Sequence, residues 1–298
     1  MLQIHHPIPA AARVGPLQQH DPAMISRDFT DRLSWEEKAR QNPLWAVMSV
    51  DEFADADADP AAWTPEQLAL FFEKGRSLFE IYLRPSLERG RIDPATARVV
   101  EYGSGMGRIL RAVHDAGFRC AGVDISETML ANSRRLVPEV RDLHLLRPDG
   151  GIPLPDASAD YVYSYAVLQH ISRTSQVRRG VLEMCRILRP GGLLRLQFQP
   201  GSMPFGSQPR AGSNAINAEE RSLVFRWVRL QKRWPVPAWV PRVPLVRLYR
   251  HTNWGGVPLR WQTMRNLLRA GSVRLLGLER DPAAEWNSVW LLGKKDLA

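Results

Sequence analysis

The chain has 298 residues, which is enough for one elaborated domain or two small ones. Apolar residues at 44% and charged residues at 24% exclude a disordered or fibrous protein. The net charge of +9 is unevenly placed, because residues 202–298 carry 16 Lys or Arg against 6 Asp or Glu. The basic character therefore belongs to the C-terminal third of the chain.

Cysteine usage and hydropathy bear on the compartment. Cys120 and Cys185 are far apart and form no CxxC motif, which argues against a disulfide framework or a zinc site. The first residues lack the charged start and apolar run of a secretory signal, and no run of about 18 apolar residues occurs. We therefore expect a cytoplasmic protein.

Residues 1–62 are predicted to form an N-terminal extension, with a short helix over Trp35–Val50 followed by an acidic loop. A longer helix is expected over Pro65–Leu87, because apolar residues recur there at helical spacing. Thr64 is suited to cap its first turn. We expect this longer helix to pack against the main domain.

From Arg98 onward, short apolar runs alternate with helical stretches, which is typical of a parallel sheet with helices on both faces. We predict an α/β protein with a doubly wound, Rossmann-like sheet of seven strands. Its core covers residues 63–201, a substrate-capping insertion covers 202–252, and residues 253–298 complete the sheet. The predicted strands are Arg98–Tyr102, Arg119–Asp124, Leu143–Leu146, Tyr161–Tyr165, Leu193–Phe198, Val273–Glu279 and Ser288–Gly293. The predicted helices between them are Gly107–Ala116, Glu127–Leu136, Thr174–Leu188 and Trp261–Ala270.

The first predicted strand runs into a glycine-rich turn, Gly103-Ser104-Gly105-Met106-Gly107. Glycines let the backbone turn sharply and approach a ligand, and the start of the following helix adds free N–H groups. We therefore expect a nucleotide-type ligand at this turn. The GxGxG spacing differs from the GxGxxG of dinucleotide-binding folds, and a simple strand-to-helix turn is the alternative.

Two acids end the next two predicted strands. Asp124 lies 17 positions beyond Gly107, where a carboxylate can accept hydrogen bonds from both ribose hydroxyls of an adenosine. Asp149 is placed to meet the adenine amino group. The alternatives are a surface residue that caps the next helix for Asp124 and an ordinary turn residue for Asp149.

Together these segments resemble the class I S-adenosylmethionine-dependent methyltransferases, especially their type 11 branch. The resemblance spans about Arg98–Pro200 and rests on VVEYGSGMGRIL, GVDIS, IPLPDASADYVYSYAVLQHI and ILRPGG in this order. It implies that Glu101 and the glycines hold the methionine end of the cofactor, Asp124 the ribose and Asp149 the adenine. The cofactor-binding residues expected on this basis are Glu101, Gly103, Ser104, Gly105, Gly107, Asp124, Ile125, Asp149, Gly150 and Tyr165. An NAD(P)-dependent oxidoreductase on the same fold is the competing interpretation, but the third glycine comes one residue early for it.

His170, just beyond the fourth predicted strand, is the candidate catalytic residue. Imidazole titrates near neutral pH, which suits removal of a proton from an acceptor hydroxyl. The alternative is that His170 only packs or orients the cofactor loop. Tyr163, Tyr165 and Gln169 are candidates for lining the same crevice. No cluster of His, Asp and Glu has metal-ligand spacing, so no metal is expected.

The expected acceptor is a small molecule, a glycan or a lipid-linked molecule, methylated on oxygen. A nucleic-acid acceptor is disfavoured, because the fourth strand is not followed by the Asn/Asp-Pro-Pro-aromatic turn of adenine methylation. Among the possible acceptors, nucleic acid is the second choice, which would make the protein a nucleic-acid methyltransferase. A non-catalytic module that binds the cofactor or a membrane is the alternative from another class.

The segment Arg221–Trp234 reads RSLVFRWVRLQKRW, which on a helix separates an apolar face from a row of arginines. Three interpretations stay open. The segment caps the substrate pocket, contacts an anionic inner membrane surface as a peripheral helix, or is ordinary packed structure.

Overall fold

The computed structural model describes residues 30–200, 259–281 and 288–297. Its seven strands are β1 (Arg98–Tyr102), β2 (Arg119–Asp124), β3 (Asp142–Leu145), β4 (Ala159–Ser164), β5 (Leu188–Phe198), β6 (Val273–Arg280) and β7 (Val289–Lys295). They form one sheet in the order β3-β2-β1-β4-β5-β7-β6. Strands β1 to β5 pair in parallel, and β7 is antiparallel to both of its neighbours. The predicted seven-stranded, doubly wound α/β sheet is confirmed.

Eight α-helices are described. They are α1 (Thr30–Gln41), α2 (Pro43–Val47), α3 (Pro65–Leu78), α4 (Arg84–Arg89), α5 (Arg108–Asp115), α6 (Glu127–Leu136), α7 (Thr174–Ile187) and α8 (Trp261–Ala270). A π-helical turn, Phe79–Leu83, joins α3 to α4, and short 3₁₀ turns lie at Asp51–Phe53, Pro60–Ala62 and Leu168–His170.

The sheet is apolar on both faces because helices cover both of them. On one face, Val100 and Val162 belong to a core cluster with residues of α7 and α8. On the other, Val99 and Tyr161 belong to a cluster with residues of α4 and α5. Burial on both faces explains why these strands are near-continuous apolar runs in the sequence.

The strand order places the ligand crevice. After β1 the chain builds the sheet outward through β2 and β3, then crosses to the other side of β1 with β4. In open parallel sheets the crevice lies beyond the carboxyl ends of the strands where the order reverses. That position here lies between the ends of β1 and β4.

Most predicted boundaries differ from the structure by at most two residues. One helix prediction was wrong: Trp35–Val50 is not a single helix, because α1 begins at Thr30 and α2 begins afresh at Pro43. Pro43 lacks an N–H, and the Asn42 side chain accepts a 2.9 Å hydrogen bond from the Trp45 amide to cap α2. The predicted cap at Thr64 is confirmed, since it forms a reciprocal capping box with Gln67.

Strand β5 begins five residues earlier than predicted. Leu188 already pairs with Ala159 of β4, and the register then shifts so that Leu193 pairs with Tyr161. The Arg189-Pro190-Gly191-Gly192 segment is therefore a bulge within the strand, and Gly191 has a φ of +80° there. The strand therefore includes the residues between the predicted helix end at Leu188 and the predicted strand start at Leu193.

The predicted insertion over residues 202–252 and the basic segment Arg221–Trp234 lie outside the described residues, as do residues 1–29. Within the described part of the chain, no helix is both long and apolar enough to cross a membrane. Cys120 and Cys185 are buried free thiols.

Candidate cofactor and acceptor site

The glycine turn after β1 is the floor of the site. Gly103 has a φ of +78°, which favours glycine, and its amide donates a 2.7 Å hydrogen bond to the Val123 carbonyl of β2. A Cβ at Gly103 would come within 2.2 Å of a Val167 methyl. The turn is thus held close to β2 and β4 by backbone geometry that only glycine meets without strain.

The turn opens into a cavity of about 550 Å³ at the carboxyl edge of the sheet. Ligand pockets in proteins are about 300 to 1,000 Å³, so the size is suitable for a cofactor. Ten of the predicted site residues line it: Glu101, Gly103, Ser104, Gly105, Asp124, Ile125, Asp149, Gly150, Tyr165 and His170.

Gly107 does not line the cavity. It is the N-cap of α5 with a φ of +82°, and a Cβ there would lie 2.6 Å from the Ser133 hydroxyl oxygen of α6. The structure therefore places the third glycine at a helix–helix contact. Tyr163 and Gln169, predicted as crevice candidates, are buried and are not among the lining residues.

Glu101 is the buried acid at the inner end of the cavity, 3% exposed. Burial raises the pKa of its carboxyl to about 8, although a 2.9 Å hydrogen bond from the Tyr163 hydroxyl favours the ionised form. A buried carboxyl of this kind is suited to a cationic partner. The ammonium group of an amino acid would supply one.

Asp124 lies at the end of β2, 7% exposed. Its two carboxylate oxygens accept hydrogen bonds from the Gly105 amide at 2.8 Å and the Ser126 amide at 2.9 Å. Burial raises its pKa above the ordinary value, and these amides oppose that shift. The backbone thus fixes the carboxylate on the wall of the cavity, where its remaining lone pairs can accept from ligand hydroxyls.

Asp149 lies at the exposed rim of the cavity. Its carboxylate accepts a 2.9 Å hydrogen bond from the Gly151 amide, which lowers its pKa, and it forms a 3.2 Å ion pair with Arg179 of α7. These contacts are those of a turn residue, the alternative raised from the sequence. Asp149 also lines the cavity, and its place beside an adenine stays a prediction.

The opposite wall of the cavity comes from α1, which sequence reasoning did not place in the site. Arg32 donates a 2.6 Å hydrogen bond to the Leu146 carbonyl, at the end of β3. The Asp31 carboxylate accepts a 3.0 Å bond from the Ser172 amide, beyond β4. Helix α1 therefore spans several strand ends above the glycine turn.

Glu36 fixes the same helix to the start of α6. Its carboxylate accepts a 2.7 Å hydrogen bond from the Ser126 hydroxyl and another from the Thr128 hydroxyl. Burial acts to raise the pKa of Glu36, but these bonds outweigh it and hold the pKa below the ordinary value. The only sequence signal for this wall is that Arg32, Trp35 and Glu36 share one helix face.

His170 is half-buried and lines the cavity. The Trp35 ring meets it edge-on, with 5.4 Å between ring centroids and 72° between planes. Tyr165, also on the cavity wall, stacks on Trp290 of β7 at 5.6 Å. The candidate base is therefore packed against α1, and the Tyr165 ring on the cavity wall is backed by the buried Trp290 ring.

The fold and the site define a class of protein. A sheet with this strand order, a glycine turn after β1 and acids at the ends of β1 and β2 are the features of class I S-adenosylmethionine-dependent methyltransferases. Residues 100–196 match the methyltransferase domain family of type 11. Residues 100–196 are therefore a class I methyltransferase domain, a family whose cofactor is S-adenosylmethionine. The resemblance stated from the sequence is confirmed.

Relatives of known sequence agree. A probable S-adenosylmethionine-dependent methyltransferase of Mycolicibacterium smegmatis is 35% identical over 109 residues, or 35% of this chain and 40% of that protein. One of Mycobacterium tuberculosis is 30% identical over 169 residues, or 52% and 60% of the two chains. A malonyl-[acyl-carrier protein] O-methyltransferase of Enterobacter lignolyticus is 36% identical over 98 residues, or 33% and 37%. The chain thus spans about two fifths to three fifths of the lengths of these relatives.

Solved structures share the fold. Magnesium protoporphyrin IX methyltransferase of Synechocystis PCC 6803, solved with S-adenosylmethionine bound, has a TM-score of 0.53 at 11% identity, covering 89% of this chain and 97% of that one. The [4+2]-cyclase SpnF has a TM-score of 0.50 at 14% identity, covering 90% and 98%. At such low identity these likenesses show the fold alone.

The residues of this site fit the cofactor. Glu101 is a buried acid suited to the ammonium of the methionine end, and the Ser104 hydroxyl oxygen is buried with no hydrogen-bond partner among the described residues. Gly103 and Gly105 line the cavity without side chains, so a ligand can approach the backbone of the turn. In the described part of the chain, no group of three His, Cys, Asp or Glu residues is arranged to hold a metal.

Proposed function

We propose that this protein transfers the methyl group of S-adenosylmethionine to a hydroxyl oxygen of a small-molecule, glycan or lipid-linked acceptor. The observation that carries the proposal is that Glu101 and Asp124 lie on one glycine-floored cavity, together with His170. Glu101 suits the ammonium group of S-adenosylmethionine, and Asp124 suits its ribose hydroxyls. His170 adds a group that can accept a proton beside them.

The proposed roles follow from position. Glu101 holds the ammonium at the inner end, Asp124 accepts the ribose hydroxyls, and Asp149 with Gly150 borders the adenine at the rim. When bound, the cofactor supplies a methyl group already activated on a sulfonium. The chain therefore mainly aligns the acceptor oxygen with the methyl carbon and excludes water, with α1 covering the cavity.

His170 is proposed to take the proton from the acceptor hydroxyl as the oxygen–carbon bond forms and the carbon–sulfur bond breaks. Two observations support this role. Its ring lines the cavity, and the edge of Trp35 restricts the orientation of that ring. A positioned base typically contributes about 10²- to 10⁴-fold to the rate of such a step.

Oxygen as the acceptor atom is supported by likeness to the malonyl-[acyl-carrier protein] O-methyltransferase, which is 36% identical over 98 residues. The Tyr165 ring on the cavity wall, backed by the buried Trp290 ring, suits an acceptor with an apolar or ring-shaped part.

The test is transfer itself, because one solved structure with this fold is named as a cyclase and the fold alone does not establish transfer. The full chain is incubated with methyl-labelled S-adenosylmethionine and a host extract, and the labelled fraction is identified. We expect label in a small-molecule, glycan or lipid fraction, bound as a methyl ether or ester. Label confined to nucleic acid, or no cofactor binding by calorimetry, contradicts the proposal.

The role of His170 is tested separately with His170→Gln. We expect cofactor affinity to stay the same and the rate of label transfer to fall about 100-fold. His144→Gln is the matched control, because His144 is hydrogen-bonded to Asp142 on β3 and does not line the cavity. Equal rates for the two variants would remove His170 as the base.

We also propose peripheral contact with an anionic membrane surface on the cytoplasmic side through Arg221–Trp234. The amphipathic spacing of this segment and the surplus of basic residues after Ser202 support it. Cosedimentation of the full chain with vesicles containing phosphatidylserine should occur at low salt and weaken as salt rises. No sedimentation at low salt would contradict the contact.

A further inference from the structure

Arg108 is a buried cation on the cavity wall that the proposed roles do not use. It is the first residue of α5, directly after the glycine turn, and it is 8% exposed. Its side chain lines the same cavity as Glu101 and Gly105. A charged group so placed is taken out of water at a cost of several kcal/mol unless a counter-charge meets it.

The protein supplies Arg108 with little compensation. A guanidinium has five N–H donors, and the hydrogen bond made here is a weak one from Nη1 to the Met48 sulfur at 3.4 Å. The Tyr165 ring lies 5.7 Å from the guanidinium carbon. Arg108 forms no ion pair with any carboxylate in the described residues, and burial lowers its pKa. The side chain is therefore suited to an anion from outside the protein.

Glu101 is an acid on the same wall. Burial raises the pKa of its carboxyl to about 8, so in the free protein at pH 7 it is mostly protonated and does not neutralise Arg108. The two side chains do not form an ion pair with each other. One cavity wall thus offers a separated acid and base, an arrangement complementary to a ligand that carries both an ammonium and a carboxylate.

We infer that Arg108 binds the α-carboxylate at the methionine end of the cofactor, while Glu101 binds its α-ammonium. This inference rests on the proposed function. The cofactor is favoured over an anionic acceptor, because Arg108 continues directly from the glycine turn that forms the floor of the cavity. A guanidinium can meet a carboxylate with two parallel hydrogen bonds, which a lysine cannot reproduce.

The test compares binding of S-adenosylmethionine with binding of decarboxylated S-adenosylmethionine, which keeps the ammonium and lacks only the carboxylate. Calorimetry on the full chain should show that the wild type prefers the intact cofactor by about 10- to 100-fold, as expected for charged hydrogen bonds. In Arg108→Met the ratio of the two affinities should fall close to one. Arg111→Met is the matched control, because Arg111 lies one turn further along α5, pairs with Asp115 and does not line the cavity.

Each remaining outcome is decisive. If Arg108→Met keeps the wild-type preference for the intact cofactor over its decarboxylated form, the inference is wrong. It is also wrong if the variant loses affinity for both ligands by the same factor, because Arg108 would then have only a structural role. Normal preference with lost turnover would assign Arg108 to an anionic acceptor, which also overturns it. If Arg108→Met does not fold, Arg108→Lys is measured instead, and an intermediate preference is expected. A wild type that binds neither ligand contradicts the proposed function itself.

Discussion

The two walls of the cavity are built in different ways. The floor wall comprises the ends of β1, β2 and β3 and is fixed by the sheet, with Gly103 and Asp124 bonded to neighbouring backbone groups. The cover wall is α1, which is held by single side-chain bonds such as those of Arg32 and Glu36. The sheet thus sets the chemistry of the site, and α1 sets access to it.

The energies of the two walls differ accordingly. Strands β1 and β2 of the floor wall are buried on both faces, and opening them would expose much of the core. Helix α1 has one fully buried apolar residue, Ala39, so its position depends mainly on polar bonds. Each such bond contributes about 0.5–1.5 kcal/mol, or somewhat more where one partner is charged. Local opening of α1 should therefore be far easier than opening of the sheet.

The largest effect is expected from Asp124→Asn in the floor wall. Loss of the carboxylate weakens two charged hydrogen bonds to the ribose, so cofactor affinity measured by calorimetry should fall about 100-fold or more. The fold should persist, because an amide oxygen can still accept one of the two backbone bonds. Asp142→Asn is the control, since Asp142 lies at the start of β3 and pairs with Arg98. Equal affinity for both variants would show that the floor wall does not hold the ribose.

A smaller effect on stability is expected from Gly107→Ala. A residue with a side chain costs about 1–2 kcal/mol in left-handed backbone, and the added Cβ also meets the Ser133 hydroxyl oxygen at 2.6 Å. We expect a loss of about 2 kcal/mol or more in urea unfolding. Adding Ser133→Ala should recover part of it, because that hydroxyl oxygen has no hydrogen-bond partner among the described residues. A neutral Gly107→Ala would contradict the assignment of this glycine to the α5–α6 contact.

The floor wall was predictable because its requirements are local and backbone-based. A strand, three glycines and an acid at the next strand end can be recognised in the sequence, and the structure brings Glu101, Gly103 and Asp124 to one cavity. Gly107 shows the limit of that reasoning. Its spacing marks a sharp turn but does not say which neighbour the missing side chain would meet.

The cover wall was not predictable, because Arg32 and Glu36 have the composition of an ordinary solvated helix. Their partners are Leu146, Ser126 and Thr128, which are about a hundred residues away and are reached only once the sheet has formed. The same holds for Arg108, which in the sequence is one polar residue at a helix start. Long-range placement, not residue type, gives these side chains their role.

The strength of the cover wall can be tested with Glu36→Ala. Losing the bonds to Ser126 and Thr128 should raise amide hydrogen exchange over residues 30–41 by about 100-fold or more, since two charged hydrogen bonds of about 1.5–3 kcal/mol each are lost. Dissociation of the cofactor should become faster by a similar factor. Glu37→Ala is the matched control, because Glu37 is exposed and bonds only within α1, to Gln41. Unchanged exchange in Glu36→Ala would mean that α1 is fixed by other contacts.

The smallest effect concerns the proton on Glu101. In the free protein burial raises the pKa of this carboxyl to about 8, so at pH 7 it is mostly protonated. An ammonium held beside it favours the ionised form and lowers the pKa, so binding of S-adenosylmethionine at pH 7 should release close to one proton. Calorimetry in two buffers of different ionisation enthalpy measures this number, and Glu101→Gln should abolish it.

The same pKa fixes the sign of a stability effect. In the folded protein the pKa of Glu101 is above its ordinary value near 4.5, so protonation of this carboxyl stabilises the fold. This contribution to the free energy of unfolding is fully present below about pH 4.5 and is lost as the pH rises toward 8. Glu101→Gln should therefore lessen the fall in stability of the cofactor-free protein across this range, while weakening cofactor binding. A steeper fall in the variant would show that Glu101 is already paired in the free protein. The Glu101 carboxyl would then already have a partner in the free protein and would not be available to the ammonium of the cofactor.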